Sequence, residues 1–200
     1  KKTINISTTL FGKYNLYNIL AAISAASICG VPIQKIESSL NKPVSIPGRL
    51  EMIYSQGGKT IVIDYAHTPD AFENVLHSIA ELEYNQIITV FGCGGNRDVS
   101  KRAPMGKIAE KYSDEVVITS DNPRTENLNK IIDDILIGFQ NNKHIVIPDR
   151  NDALRYAINN MKRGSVLLVL GKGVENYQEI NGEKIPYDEK KSILKVINES

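Results

Sequence analysis

The sequence predicts an α/β protein: a mostly parallel six-stranded sheet with flanking helices, preceded by a short helical stretch that belongs to another domain. Three observations carry this. Beyond residue 48, short apolar runs alternate with amphipathic stretches of helical period, the pattern of repeated βαβ units. Before it the periodicity is helical. Between the two, Asn41-Lys42-Pro43-Val44-Ser45-Ile46-Pro47-Gly48 carries two prolines and a glycine and reads as a linker. The expected domains are therefore 1–47 and 48–200.

In chain order, residues 3–9 alternate weakly and suggest an edge strand. Residues 15–28 have helical composition, with Leu16, Ile19, Leu20, Ile23 and Ala26 at the helical period and Gly30 as a stop. Pro32 opens a second short helix over 33–40, because its fixed φ suits a helix start. Residues 50–54 and 60–65 are expected to be strands around a turn at Ser55-Gln56-Gly57-Gly58-Lys59. A helix is expected from Pro69 to about Glu83. Strands at 86–91, 115–120, 144–147 and 165–170 then alternate with helices near 104–112, 126–140 and 150–161, and a basic helix over 188–198 ends the sequence. Right-handed βαβ connections make the whole Rossmann-like.

Bulk properties narrow the function. The 200 residues carry a net charge of +1, so no basic footprint for nucleic acid or an anionic membrane is visible. Cys29 and Cys93 stand apart from any Cys/His cluster and are expected to be reduced thiols of a cytoplasmic protein without a zinc site. No apolar run has membrane-spanning length and no signal peptide opens the sequence, so Asn5-Ile6-Ser7 is not expected to be glycosylated. The sequence begins mid-pattern without Met, as a fragment or processed product would.

Three glycine patterns are set aside. Gly58-Lys59-Thr60 resembles the end of a P-loop, but Ile53 stands where the first glycine belongs and a strand follows instead of a helix. Gly92-Cys93-Gly94 and Gly171-Lys172-Gly173 follow strands, yet Arg97 and Asn176 replace the third glycine of a dinucleotide fingerprint, which argues against a nicotinamide enzyme.

Four polar loops remain, each at the carboxyl end of an expected strand, where ligands bind in open parallel sheets. They are Asp64-Tyr65-Ala66-His67-Thr68-Pro69-Asp70, Gly92 to Asp98 followed by Lys101-Arg102, Ser120-Asp121-Asn122-Pro123-Arg124, and Gly171-Lys172-Gly173-Val174-Glu175. Pro123 stiffens the third loop, so that Arg124 can act as a fork for a carboxylate or phosphate. Taken singly, each residue has a duller role: His67 packing, Asp64 capping, Lys172 and Glu175 a solvated pair worth little. Together, four such loops on one rim favour a site for a zwitterionic, amino-acid-like ligand or a nucleotide.

These motifs, with Gly48-Arg49-Leu50-Glu51 and the Asn15-x-x-Asn18 helix, stand in the order found in the Mur ligases, and the sequence resembles that family over essentially its whole length. Asp121-Asn122-Pro123-Arg124 is similar to the stretch typical of members that add meso-diaminopimelate. The resemblance implies ATP-dependent amide-bond formation in peptidoglycan synthesis, in which a substrate carboxylate becomes an acyl phosphate and an amine displaces phosphate. It implies that residues 1–47 are the tail of a central ATP-binding domain and 48–200 the C-terminal ligase domain. The P-loop and most of the Mg2+ site would precede residue 1, leaving the fragment inactive alone. Asn15, Asn18, Arg49, Asp64 and His67 would face the nucleotide. Arg97, Asp121, Asn122, Pro123, Arg124, Gly171 and Glu175 would hold meso-diaminopimelate. The other substrates would be ATP and a UDP-MurNAc-dipeptide, acted on by a monomer in the bacterial cytoplasm. Val174 departs from the histidine expected before Glu175. Alternatives are a lysine-adding ligase, a folylpolyglutamate or cyanophycin synthetase, and a non-catalytic ligand-binding module.

Overall fold

A computed structural model describes residues 3–10, 12–42 and 45–199, in two compact units, Lys1–Ile46 and Pro47–Ser200. Pro43 and Val44 of the expected linker lie outside the described residues, as do Lys1 and Lys2.

The first unit holds α1 (Lys13–Ile28) and α2 (Ile33–Leu40). Residues 3–9 are not a strand. Their backbone is taken instead by side chains of the α2 region: Asn5 N–H donates to Glu37 at 3.0 Å, Ser7 N–H to Asn41 at 2.6 Å, and Asn41 returns a bond to the Asn5 carbonyl. Of the apolar positions on α1, Ile19 is buried while Leu16 and Leu20 are exposed.

The second unit carries a six-stranded sheet: β1 (Glu51–Gln56), β2 (Lys59–Asp64), β3 (Gln86–Phe91), β4 (Glu115–Ile118), β5 (His144–Val146) and β6 (Ser165–Leu170). Their spatial order is β1-β2-β6-β3-β4-β5, with only the β1–β2 pair antiparallel. The β1–β2 turn is tighter than the expected five residues. Gly57 and Gly58 alone make it, at φ 61° and 75°, the positive values a two-residue hairpin needs.

Helices α3 (Pro69–Ala80), α4 (Arg102–Tyr112) and α5 (Leu128–Leu136) pack in series, while α6 (Arg150–Asn160) packs with α7 (Glu189–Glu199). Strand parity separates two faces. Ile88, Val90, Leu167 and Val169 bury against Leu154, Ala157, Ile193 and Val196 of α6 and α7. Phe91, of opposite parity, meets Phe72 of α3 edge to face at 5.0 Å. Because both faces are covered, β6 is buried along its whole length. Helix α5 is shorter than the expected 126–140. The Asn127 side chain caps the Asn129 and Lys130 N–H groups, which delays its start, and Gly138 lies against the Ala103 backbone just beyond its end.

A second small sheet was not expected: β7 (Tyr177–Ile180) and β8 (Glu183–Pro186) form a hairpin around Asn181-Gly182, both at positive φ.

Two fully buried arginines set the height of the rim. Arg150, at the start of α6, donates to the carbonyls of Ser120 and Leu170, both at 3.1 Å, and pairs with Glu189 at 2.7 Å; Tyr187 donates to the same carboxylate. It thus ties the ends of β4 and β6 across the intervening β3. Arg102 makes a bidentate pair with Glu126, adds Asp134 at 2.8 Å, and donates to the Gly94 carbonyl, joining the loops after β3 and β4.

Removing one partner of such a pair strands the other. Arg150→Met is expected to lower the unfolding free energy by about 3–5 kcal/mol. Urea denaturation checks this, and a loss below about 1 kcal/mol, the scale of an exposed pair, would contradict it. Hydrogen bonds from Arg102 hold the Glu126 carboxyl down to about 2, against an ordinary 4.5. A depressed carboxyl stabilises the fold above its unfolded pKa and loses that contribution as pH falls through the folded value. Glu126→Gln should therefore destabilise the chain near neutrality, and the gap to the parent should shrink between about pH 4.5 and about pH 2. A gap independent of pH would refute the assignment.

Candidate functional site

Parallel strands β2, β3, β4 and β6 end at one edge, and the loops that follow them enclose a cleft of about 440 Å³. Its lining includes Tyr65 and His67 from the first loop, Arg97 from the second, Asp121, Asn122 and Arg124 from the third, and Gly171 and Glu175 from the fourth.

The loops after β3 and β4 lie backbone to backbone. A Cβ at Gly92 would strike the Thr119 carbonyl and one at Gly95 the Pro123 carbonyl, so glycine is required at both places. Pro123 does not line the cleft; it supplies this contact. Arg124 adopts φ 53°, a left-handed conformation of order 1–3 kcal/mol above the usual regions. The hairpin holds it there: Arg124 N–H donates to the Glu179 carbonyl at 2.9 Å, and Asn181 N–H to the Arg124 carbonyl at 2.7 Å. Its guanidinium is oriented through Nε to Glu179 at 3.1 Å and through Nη1 to the Gly95 carbonyl at 2.8 Å. Among the described residues its other terminal nitrogen makes no hydrogen bond, and the Arg97 guanidinium, exposed on the same wall, makes none either.

The opposite wall is acidic. Glu175 accepts from Asn122 Nδ2 at 2.8 Å and from Tyr65 Oη at 3.3 Å. Lys172 is wholly buried, which rules out the duller reading of a solvated pair with Glu175. Its Nζ donates to Asp121 at 3.2 Å, Asn122 at 3.0 Å and Glu175 at 3.3 Å. Burial first, and Glu175 second, push the Tyr65 phenol above its ordinary value, so it stays a protonated donor. Cys93 reaches the lining, but burial raises its thiol to about 12, which leaves it without nucleophilic thiolate.

The residues expected on the nucleotide side are less unified. Asp64 is buried and spends its two oxygens on the N–H groups of Leu50 and Ala66, both at 2.7 Å, so it shapes the loop. Arg49 lies 5.4 Å over the Tyr65 ring. His67 is exposed and bonded through Nδ1 to the Tyr65 carbonyl at 2.8 Å. Asn15 and Asn18 bond to each other on α1, in the first unit. Val174 is exposed and lies against Gly48. Among the described residues no three His, Cys, Asp or Glu side chains are grouped to hold a metal, and no helix is long and apolar enough to cross a membrane.

Sequence reasoning missed Glu179 as part of the site, and assigned no individual role to Tyr65 and Lys172 within its four loops. Asn181-Gly182, a favoured hairpin dipeptide, was the available signal for the β7–β8 hairpin that carries Glu179.

The chain has relatives among known proteins. The chain is 46% identical over 197 residues to the UDP-N-acetylmuramoyl-L-alanyl-D-glutamate–2,6-diaminopimelate ligase of Aquifex aeolicus, covering 98% of this chain and 40% of that protein. It is 42% identical to the ligase of the same name from Clostridium botulinum, covering 97% of this chain and 41% of that protein. It thus spans about two fifths of the length of the curated relatives it matches. A solved structure of a ligase of that name superposes with a TM-score of 0.76 at 36% identity, over 97% of this chain and 40% of the other. Mycobacterium tuberculosis folylpolyglutamate synthase shares the fold, with a TM-score of 0.68 at 22% identity, over 83% of this chain and 39% of the other. Residues 48–173 match the family model described as "Mur ligase, glutamate ligase domain". With well over half of its residues inside that match, the chain belongs to the Mur ligase family.

Proposed function

We propose that this chain is the C-terminal part of an ATP-dependent ligase that adds meso-diaminopimelate to UDP-N-acetylmuramoyl-L-alanyl-D-glutamate in bacterial peptidoglycan synthesis. The observation that carries the reading is the division of one cleft into a cationic wall, Arg97 and Arg124, and an acidic wall, Asp121 and Glu175. A ligand with a carboxylate and an ammonium on one carbon satisfies both walls at once. The two relatives above, whose names specify 2,6-diaminopimelate, support the reading.

In this reading Arg124 and Arg97 receive the distal carboxylate, while Glu175, with Asp121 and Asn122, receives the distal ammonium. The amine at the other end of the amino acid, in its neutral form, is then left to attack an acyl phosphate on the D-glutamate side chain. The C–N bond forms in a tetrahedral intermediate, the C–O bond then breaks to release phosphate, and the proton lost by nitrogen passes to phosphate or water. Arg49 and His67 belong to the nucleotide side. Residues 1–47 are the tail of an ATP-binding domain and 48–200 the ligase domain. The described residues offer no ligand set for Mg2+, so no step is assigned to a metal here. The setting proposed is a monomer in the bacterial cytoplasm.

Lysine differs from diaminopimelate by the distal carboxylate alone, so Arg124 decides between this reading and a lysine-adding ligase. A charge-assisted bond contributes roughly 1.5–3 kcal/mol, and about 1.4 kcal/mol is tenfold. In the full-length protein Arg124→Ala should raise the KM for diaminopimelate by about ten- to a hundredfold and erase most discrimination against lysine. Steady-state kinetics with each amino acid check it. An unchanged KM for diaminopimelate would overturn the role given to Arg124.

A further inference from the structure

One ion buried beneath the acidic wall of the cleft has no part in the reading above. Lys172, between two glycines directly after β6, is 0% exposed. An ammonium has three protons to donate and accepts nothing. Here the three acceptors are Asp121, Asn122 and Glu175, at 3.2, 3.0 and 3.3 Å. They are the same side chains that the proposed function places around the ligand's ammonium. Asn122 is held twice over, because its Oδ1 also accepts from Glu179 N–H at 2.9 Å while its Nδ2 donates to Glu175.

A charge count shows what this arrangement does. Asp121 and Glu175 bring two negative charges to the acidic wall, and Lys172 cancels one, leaving one to be matched by a single ligand ammonium. On the cationic wall Arg97 and Arg124 bring two positive charges, and Glu179 cancels one, leaving one for a single carboxylate; Asp98 and Lys101, also in the lining, are of opposite sign and cancel. We propose that Lys172 is a resident counter-ion and positioning residue, which sets the acidic wall to one net negative charge and fixes Asn122 and Glu175 for the second substrate. The inference rests on the reading of the cleft as an amino-acid site.

It has a pH signature that a purely structural lysine lacks. Without the ammonium, two carboxylates lie close together on one wall of the cleft, and like charges so placed drive one of them to keep a proton. A proton can then stand in for the missing cation, and the wall regains one net charge as pH falls. The other ionisable groups facing Lys172 do not supply this. Tyr65, after β2, donates to Glu175; the rings of Tyr177 on β7 and Tyr187 before α7 lie 6.0 and 5.8 Å from the ammonium. Glu189 of α7 is already paired with Arg150 of α6, and Glu179 of β7 with Arg124. His67 also lines the cleft and is present in parent and variant alike.

The test uses the full-length protein, with KM for diaminopimelate of Lys172→Met taken relative to the parent. The ratio should be about tenfold or more near pH 8.5 and fall severalfold near pH 6.5, with kcat changed by less than about threefold. Adding Asp121→Asn restores the charge count but weakens one of the ligand's acceptors. Lys172→Met with Asp121→Asn should therefore lower KM below that of Lys172→Met without returning it to the parent, and should abolish the pH dependence of the ratio. A ratio equal at both pH values, or a double variant worse than Lys172→Met, would overturn the proposal. Thermal melts at both pH values accompany the kinetics. If Lys172→Met does not fold, the double variant is compared with Asp121→Asn alone: a KM lower than that of Asp121→Asn, which keeps the lysine and so leaves the wall one charge short, supports the proposal and a higher one overturns it. A parent that fails to prefer diaminopimelate over lysine refutes the reading of the cleft. A parent that does prefer it, with a variant ratio indifferent to pH, refutes only the role of Lys172.

Discussion

A cation removed from water must be surrounded by acceptors, because the cost of leaving it bare exceeds what a small domain can tolerate. In this chain three wholly buried cations meet that demand at one edge of one sheet. Arg150 gathers two strand-end carbonyls and a carboxylate, Arg102 gathers two loops and a helix, and Lys172 gathers three side chains that face the cleft. A parallel sheet ends in carbonyls that no neighbouring strand takes up, so its carboxyl edge is where buried donors are most useful. The same need that fixes the strand ends therefore fixes the loops. The acidic wall and the loops beneath the cleft are built from the coordination spheres of buried charges.

Stiffness matters more than affinity in such a site. Arg124 is held in a left-handed backbone conformation by the β7–β8 hairpin, and its guanidinium is oriented by one carboxylate and one carbonyl. Side-chain entropy that a free arginine would lose on binding a carboxylate has already been spent in folding. Asn122 is immobilised in the same way between Lys172, Glu175 and the Glu179 backbone. A ligand of the right charge pattern meets prepared partners, and one lacking a group leaves a prepared partner stranded, which is how a site of this kind discriminates.

The architecture was legible because its signals are local and repeated. Runs such as Ser165–Leu170 and the helical periods between them give strand order along the chain, and the bounds expected for β3, β6 and α2 are those observed. The convergence of four polar loops followed from topology alone. What could not be read were contacts set by long-range packing. Residues 3–9 look like a strand until Glu37 and Asn41 are seen to take their backbone groups. Lys172 looks like a surface lysine, since sequence gives no sign that Asp121, some fifty positions away, will close over it. Asp64 shapes its own loop, accepting from the N–H groups of Leu50 and Ala66, a pairing with Leu50 that no local signal marks. The β7–β8 hairpin has polar strands without the apolar alternation that marks a buried one, and only its Asn-Gly turn was informative.

The central claim is that one cleft presents opposite charges to the two groups on a single carbon of the incoming amino acid. A crystal structure of the full-length protein with meso-diaminopimelate bound tests it most directly. The account predicts the distal carboxylate on Arg124 and the adjacent ammonium on Glu175, with Lys172 still buried beneath them. A diaminopimelate bound elsewhere, or in this cleft with its ends reversed, would contradict it.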